Sequence, residues 1–373
     1  MRIPLLDLNR QYQVIGDEIN QAVLSVLSTH QYILGPEVRE LEREVAAYCG
    51  SRHAVGCASG SDALLLALMA LDIGSKDEVI TTPFSFFATA GSIARLGAKP
   101  VFVDIDPGAF NIDPAGIEPV ITARTRAILP VHLFGQCAEM EPINTTAERH
   151  GVAVIEDAAQ AIGSQYHGRR AGTLGLMATF SFYPTKNLGG AGDGGMLTTS
   201  DEAISRKLIS LRGHGATNKY FHEMLGVNSR LDSIQAAILR VKLRYLDGWS
   251  EARRHNADGY RAMFSQSGLL DRGLIRLPVD SKNGLHIYNQ FVIRAERRDE
   301  LREFLKEQGV GTEIYYPLPL HLQKCFADLG YKQGQFPAAE AASKESLALP
   351  IYPELTLDEM HYVVGAVRSF YLG

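Results

Sequence analysis

The stretch "HAVGCASGSDALLLALMALDIGSKDEVITTP", residues 53–83, decides the class of fold. It opens on a short apolar run, "HAVGCAS" (53–59), that reads as a strand. Gly60 gives a tight turn, and "SDALLLALMALDIG" (61–74) then carries leucines nearly all round a helix, so this helix is buried rather than amphipathic. "DEVITTP" (77–83) is a second strand. Strand, buried helix, strand is the alternation of a parallel sheet covered by helices on both faces.

The same texture continues outward. "KPVFVDID" (99–106), "RAILPVHL" (126–133), "VAVIEDAA" (152–159) and "MATFSFY" (177–183) read as further strands, with helices predicted over "FSFFATAGSIARLG" (84–97) and "EPINTTAERHG" (141–151). Gly74, Gly97 and Gly151 stand where helix C-caps belong. Past residue 200 the pattern changes. "RLDSIQAAILRVKLRYL" (230–246) puts Leu231, Ile234, Ile238, Val241 and Tyr245 on one stripe of a long amphipathic helix. "YNQFVIRA" (288–295) and "RDELREFLKEQG" (298–309) then read as strand and helix of a smaller α+β unit.

At 373 residues the chain exceeds what one core usually serves. The division expected is an N-terminal segment, 1–35, packing on the body; a large α/β domain, 36–248, with a mostly parallel seven-stranded sheet sandwiched by helices; and a small C-terminal α+β domain, 249–373. The sequence leaves open which part the N-terminal segment packs against.

Composition narrows the functional classes. With 46% hydrophobic and 21% charged residues the chain is globular, and a net charge of −5 gives no electrostatic reason to bind nucleic acid or membrane. Cys49, Cys57, Cys137 and Cys325 are scattered with no C-x-x-C pair, which argues against a metal site or disulfide framework and fits a reducing compartment. No targeting segment or run of 18 apolar residues is present, so a cytoplasmic protein is expected.

Three clusters fall at predicted strand ends, where open α/β sheets bind ligands. In "ASGSDALLL", Gly60 and Ser61 open a buried helix whose free N–H groups suit a phosphate, though a plain Ser cap explains the same residues. In "VIEDAAQ", Asp157 ends an apolar strand; its carboxylate needs a partner to stay ionised, and a protonated heterocyclic nitrogen, an arginine or a helix N-terminus would each serve. In "SFYPTKNLGGAGDGG" (181–195) the glycines follow Lys186 instead of preceding it, so this is not a Walker A loop. The apolar approach to Lys186 suggests an amine partly removed from water, as Schiff-base chemistry requires. Pyridoxal 5'-phosphate has a phosphate, a pyridinium nitrogen and an aldehyde, and so needs all three features at once. On that conjunction Lys186 is read as a nucleophile.

These stretches, together with "TTPFSFFATAGSI", "GAKPVFVDID", "LPVHLFGQ", "VIEDAAQAIGSQYHGRRAGTLG" and "GVNSRLDSIQAAIL", resemble the pyridoxal-phosphate-dependent nucleotide-sugar aminotransferases of the DegT/StrS type. The resemblance runs from "PLLDLNRQY" to "YYPLPLHLQ", most of the chain. It implies an aspartate-aminotransferase-like fold and a homodimer with active sites at the interface. Carried over by motif, Gly60, Ser61 and Ser181 would hold the phosphate, Phe86 would stack on the ring, Asp157 would pair with the ring nitrogen and Gln160 would lie near the ring hydroxyl. Asn228 would reach the phosphate in the partner subunit. Read without the family, Phe86, Gln160 and Asn228 are ordinary core, surface and turn residues.

The resemblance further implies transfer of an amino group, from L-glutamate, to a keto sugar carried on a nucleotide. Related deoxygenating members have histidine at the lysine position, so Lys186 points to transamination. The sugar expected is a 3-keto sugar on dTDP or UDP, with a 4-keto-6-deoxy sugar as the alternative. Arg230 resembles an arginine that meets 3-keto uronates, whereas "YYPLPLH", with Tyr315, Tyr316 and His321, resembles members acting on 3-keto-6-deoxy sugars. Tyr316 and His321 read equally well as packing residues. His214, in "RGHGATNKY", belongs to a loop that would border the sugar. A non-catalytic regulator that keeps the cofactor is the rival from another class. A dinucleotide-dependent oxidoreductase would need G-x-G-x-x-G where the chain has "CASGSDALL".

Overall fold

A computed structural model describes all of residues 1–373. Its largest sheet has seven strands, in the spatial order His53–Cys57, Gly195–Thr199, Met177–Ser181, Ala153–Asp157, Thr125–Ile128, Glu78–Thr81 and Lys99–Phe102. Gly195–Thr199 runs antiparallel to both its neighbours, and the other four contacts are all parallel. The class is the one expected: α/β, a mostly parallel sheet between helices. Adjacent strand residues part to opposite faces. Val79, Ala127, Ile155, Met177 and Leu197 join one core with the helices Gly60–Ala70, Ala88–Arg95 and Glu202–Leu211. Ile80, Ile128, Val154, Ala178 and Met196 join the other with Pro36–Cys49, Met140–His150 and Ser233–Leu243. Burial on both faces is why these strands read as continuous apolar runs.

A third core surrounds a smaller, antiparallel sheet of Ile275–Arg276, Phe291–Ala295 and Ser346–Leu349. Tyr260, Phe264, Phe291, Leu347 and Val363 meet there, under the helices Leu246–Gln266, Arg298–Glu307 and Leu357–Leu372.

Several elements depart from the sequence reading. Residues Leu8–Thr29 form a 22-residue helix, capped by Asp7, whose carboxylate accepts from Asn9 N at 3.0 Å. Gly16, in the middle of this helix, lies against the Tyr12 ring, where a Cβ would come within 3.1 Å. This helix packs Ile15 and Ile19 on Ile238 and Val241 of Ser233–Leu243 in a small apolar cluster of their own, while Ile3 ahead of it joins the core around the three-stranded sheet. The N-terminal segment therefore packs on elements around both sheets. The long helix expected over 230–246 is Ser233–Leu243, followed separately by Leu246–Gln266. "RAILPVHL" forms a strand only over Thr125–Ile128, since Pro130 has no N–H to give a ladder. Gly74 is not a C-cap: the helix stops at Ala70, Asp72 takes the left-handed conformation, and Gly74 N donates to Asp77 Oδ2 at 2.8 Å. Gly151 does cap as predicted, with φ 64°.

Candidate active site

The site grows from the ends of adjacent strands. Asp157 is the last residue of Ala153–Asp157 and pairs in register with Thr179, two residues before Ser181. Strand alternation sends the neighbouring carboxylates to opposite faces. Glu156 accepts from Gly172 N at 2.9 Å, Leu174 N at 2.7 Å, Gly175 N at 2.9 Å and His132 Nε2 at 3.1 Å. His132 Nδ1 accepts from Ala138 N at 3.1 Å, which makes the ring the neutral Nε2–H tautomer. Asp157 has fewer donors: Thr89 Oγ1 at 2.8 Å and Ala159 N at 3.3 Å. Burial pushes its pKa up, and these two bonds with the nearby Lys186 oppose the shift only in part.

Lys186 leaves the next strand. Tyr183 O accepts from Lys186 N at 2.9 Å, so the chain turns at once after Met177–Ser181. The amine is partly buried, and desolvation lowers its pKa from 10.5 to about 8 against the pull of Asp157. The turn is possible because of its glycines: a Cβ on Gly189 would lie 2.3 Å from Pro184 O. Two residues of the helix Ser233–Leu243 hold it from below. Gln235 Oε1 accepts from Ala191 N at 2.8 Å, and the buried Lys242 donates Nζ to Gly189 O at 2.7 Å.

At the other end, Ser59 caps the helix Gly60–Ala70 by accepting from Asp62 N at 3.1 Å. The N–H groups of Gly60 and Ser61 donate to nothing in the chain, and they lie at the positive end of the helix dipole. Gly60 fits flush against Ser181, where a Cβ would meet the serine's Cβ at 2.6 Å. Ser229 Oγ donates to Asp62 Oδ2 at 2.7 Å and accepts from Ala58 N at 3.1 Å, which brings the segment bearing Asn228 to the same corner. Asn228 itself is exposed, its backbone paired with Gly213.

Gln160 is held between two groups. Its Oε1 accepts from Phe134 N at 2.7 Å, which orients the amide, and its Nε2 donates to Tyr316 Oη at 3.2 Å. Burial and the nearby Asp157 raise the Tyr316 pKa, so the phenol stays protonated. The Phe86 ring lies 6.3 Å from that of Tyr316 and is 58% exposed, an aromatic face open to the cleft.

The structure thus brings Lys186, Asp157, Gln160, Tyr316 and Phe86 to one end and Gly60, Ser61 and Ser181 to the other. Tyr315 stacks edge-on to Tyr316 at 5.7 Å, half-buried. The remaining residues singled out in the sequence lie apart from this set. His214 is exposed, with φ 64°, and its carbonyl accepts from His222 Nδ1 at 3.0 Å. Arg230 is half-buried and makes no hydrogen bond or ion pair within the chain. His321 is buried against Phe336, 4.7 Å between rings, with Nε2 3.2 Å from Glu340 Oε1. Sequence reasoning missed Thr89 and Ser85, whose i, i+4 hydroxyls flank Phe86, and it missed the supports Gln235 and Lys242. Only the Ser85–Thr89 spacing left a local signal.

The donor set fits pyridoxal phosphate. Two unspent N–H groups at a helix start suit its phosphate, the under-bonded buried Asp157 suits a protonated ring nitrogen, and a Lys amine near pKa 8 suits its aldehyde.

Comparison with known proteins points the same way. The model of the DegT/DnrJ/EryC1/StrS aminotransferase family matches residues 13–368. A protein named pleiotropic regulatory protein from Geobacillus stearothermophilus is 53% identical over 371 residues, covering 100% of this chain and 99% of that protein. The UDP-N-acetyl-3-dehydro-alpha-D-glucosamine 3-aminotransferase of Acidithiobacillus ferrooxidans is 44% identical, covering 98% and 97%. The dTDP-3-amino-3,4,6-trideoxy-alpha-D-glucose transaminase of Streptomyces venezuelae is 43% identical, covering 99% and 96%. A crystal structure of S. venezuelae DesV in complex with a ketimine intermediate superposes with a TM-score of 0.95 at 43% identity, covering 100% and 99%.

Proposed function

Because the chain belongs to the DegT/DnrJ/EryC1/StrS aminotransferase family, we propose that it transfers an amino group from L-glutamate to a 3-keto sugar carried on dTDP or UDP, for amino-sugar biosynthesis. It is a pyridoxal-phosphate-dependent aminotransferase. The observation that carries the reading is the pairing, in one crevice, of a desolvated lysine with an under-bonded buried aspartate, facing a helix start with two free N–H groups.

When bound, the cofactor supplies an electron-withdrawing ring that accepts the electron pair left at the donor's Cα. In the proposal Gly60, Ser61 and Ser181 bind its phosphate, Phe86 covers one ring face and Gln160 Nε2 lies at the ring hydroxyl. Asp157 holds the proton on the ring nitrogen, which keeps the ring electron-poor. Lys186 holds the cofactor covalently at rest. Displaced by the donor amine, its Nζ would leave uncharged, and a pKa lowered to about 8 would let it take the proton from the donor's Cα and deliver it to C4′. The same amine returns the proton in the opposite sense when the keto sugar is aminated. Tyr315, Tyr316 and His214 remain part of the proposal as residues bordering the sugar, and the buried His321 as a packing residue.

We extend the proposal to a homodimer. Arg230 and the side chain of Asn228 have no partner in their own chain, and the nearby hairpin of Ala216–Asn218 and Phe221–His222 exposes Tyr220 and Phe221. A second copy would cover those rings and receive both polar groups. A cytoplasmic location completes the reading; no helix is long and apolar enough to cross a membrane.

The test is borohydride reduction of the loaded protein, digestion and mass spectrometry, followed by assays with dTDP- and UDP-linked 3-keto and 4-keto sugars made in situ. The tag belongs on the peptide of Lys186, and a tag elsewhere overturns the assignment. Glutamate alone separates enzyme from regulator: turnover to pyridoxamine phosphate removes the visible absorbance, whereas a regulator that only binds the cofactor stays yellow.

A further inference from the structure

The turn that carries Phe86 also carries two buried hydroxyls that the proposed chemistry has not used. Ser85 and Thr89 are 3% and 1% exposed, while Phe86 and Phe87 between them are 58% and 46% exposed. The backbone here is one helical turn: Thr89 N donates to Phe86 O at 3.2 Å, and Phe87 has φ −52° and ψ −35°. Residues four apart on such a turn share a face, so the hydroxyls point inward together while the ring points out.

Thr89 Oγ1 donates to Asp157 Oδ2 at 2.8 Å, and Ser85 Oγ lies 2.8 Å from Thr89 Oγ1. Proton counting fixes the direction of both bonds. Thr89 has one O–H, and donating it to a carboxylate leaves only lone pairs, so Ser85 must be the donor to Thr89. The chain Ser85→Thr89→Asp157 requires Oδ2 free of a proton, as both oxygens are in the ionised acid; a protonated Oδ2 would reverse or break it. The other contact to the carboxylate, from Ala159 N at 3.3 Å, is longer, so Thr89 is its principal fixed donor. Lys186, His132 and Tyr316 are the other titratable groups that face Asp157.

We propose that Thr89, oriented by Ser85, is a positioning residue that fixes the Asp157 carboxylate and reserves its remaining acceptor capacity for the ring nitrogen of the cofactor. One short turn then sets both the ring-stacking aromatic and the partner of the ring nitrogen. The inference rests on the reading of Asp157 given above.

The test starts with the protein free of cofactor, carrying ¹³C at aspartate Cγ. The Asp157 resonance is titrated in wild type, Thr89→Val, Thr89→Ser and Ser85→Ala. A hydroxyl donor favours the charged carboxylate, so its loss in Thr89→Val should move the Asp157 midpoint upward. Thr89→Ser should restore it, and Ser85→Ala should shift it the same way by less. In the loaded enzyme Thr89→Val should lose about tenfold in kcat, with the donor KM little changed, the size of one charge-assisted hydrogen bond. An unmoved Asp157 midpoint in folded Thr89→Val, or no rescue by Thr89→Ser, overturns the proposal. If Thr89→Val does not fold, Ser85→Ala and Thr89→Ser carry the same titration, and an unmoved midpoint in Ser85→Ala is then the overturning result. Failure of the underlying reading looks different: Asp157→Asn would turn over normally while the midpoint shift in Thr89→Val persisted.

Discussion

Glu156 and Asp157 are adjacent in sequence, both buried, and chemically one methylene apart, yet they occupy opposite kinds of region. Behind the sheet, Glu156 is bonded to three backbone N–H groups and a histidine, and the buried Lys242 on that side gives its amine to the carbonyl of Gly189. In the cleft, Asp157 has two donors, and the Lys186 amine makes no hydrogen bond within the chain. Each region holds one acid and one lysine, and burial lowers both lysines to about 8. What differs is saturation. A saturated buried charge fixes loops, whereas one left short of partners is prepared for a ligand that brings them. Perturbed titration alone therefore does not mark the site; incomplete bonding beside a cleft does.

The sharpest break of this comparison exchanges the lysines. Lys186→Ala should fold, hold no cofactor covalently and lose about 10⁴-fold in kcat, the upper range for removing a positioned acid–base group. Lys242→Met should keep covalent cofactor and turnover, since its amine supports only the Gly189 turn. Measured rates per mole of bound cofactor decide the matter. Equal losses in the two variants would erase the distinction between cleft and support.

The acids give the next largest effect. Asp157→Asn should still bind cofactor but lose about 10²–10³-fold in kcat, as expected when a preorganised charge is removed from a reacting system. Glu156→Gln should do the reverse: an amide has one acceptor atom for four donors, so stability should fall by about 1–3 kcal/mol per stranded donor. Its kcat per folded molecule should stay near wild type. Denaturant titration beside steady-state kinetics reads both.

The contrast explains what the sequence could and could not reveal. Strand, turn and buried helix were legible in "HAVGCASGSDALLL" because burial on both faces leaves unbroken apolar runs, and the cofactor's three handles were legible because each sits at a strand end. Asp157 and Lys186 were found that way. Glu156 was not, since its partners come from residues 172–175 and from His132, contacts that no local pattern encodes. The helix Leu8–Thr29 was hidden by a mid-helix glycine whose tolerance depends on the Tyr12 ring. The strand Gly195–Thr199 was hidden inside a glycine-rich tract that resembles a loop. His321 was chosen by motif, and its packing against Glu340 and Phe336 depends on a helix sixteen residues further on.

A smaller effect tests the opposite end of the cleft, where backbone does the work. Gly60→Ala places a Cβ 2.6 Å from that of Ser181, so one of the two must move. Two N–H groups would then leave their aim at the phosphate. Cofactor affinity should weaken by about tenfold, one or two hydrogen bonds to a charged group, while kcat at saturating cofactor changes little. A titration of the cofactor-free protein with pyridoxal phosphate measures it. Unchanged affinity would mean that the helix start is an ordinary cap.

The mildest perturbation is pH, read on wild type and on each lysine variant in turn. Burial lowers the Lys186 pKa from 10.5 to about 8, so its free-base form appears at lower pH than for an ordinary lysine. Only the free base attacks an aldehyde, so the rate at which cofactor-free protein captures pyridoxal phosphate should rise about fivefold from pH 7 to pH 8 and level off above pH 9. Lys242 shares the depressed value, and both amines affect stability with one sign. Between about 8 and 10.5 the folded chain binds fewer protons than the unfolded chain, so these groups make stability increase with pH across that window. Lys242→Met should remove part of that slope and leave the capture profile unmoved. Lys186→Ala should remove part of the slope and abolish capture. A capture midpoint near 10 would place Lys186 in water, and the cleft would then differ from the support by position alone.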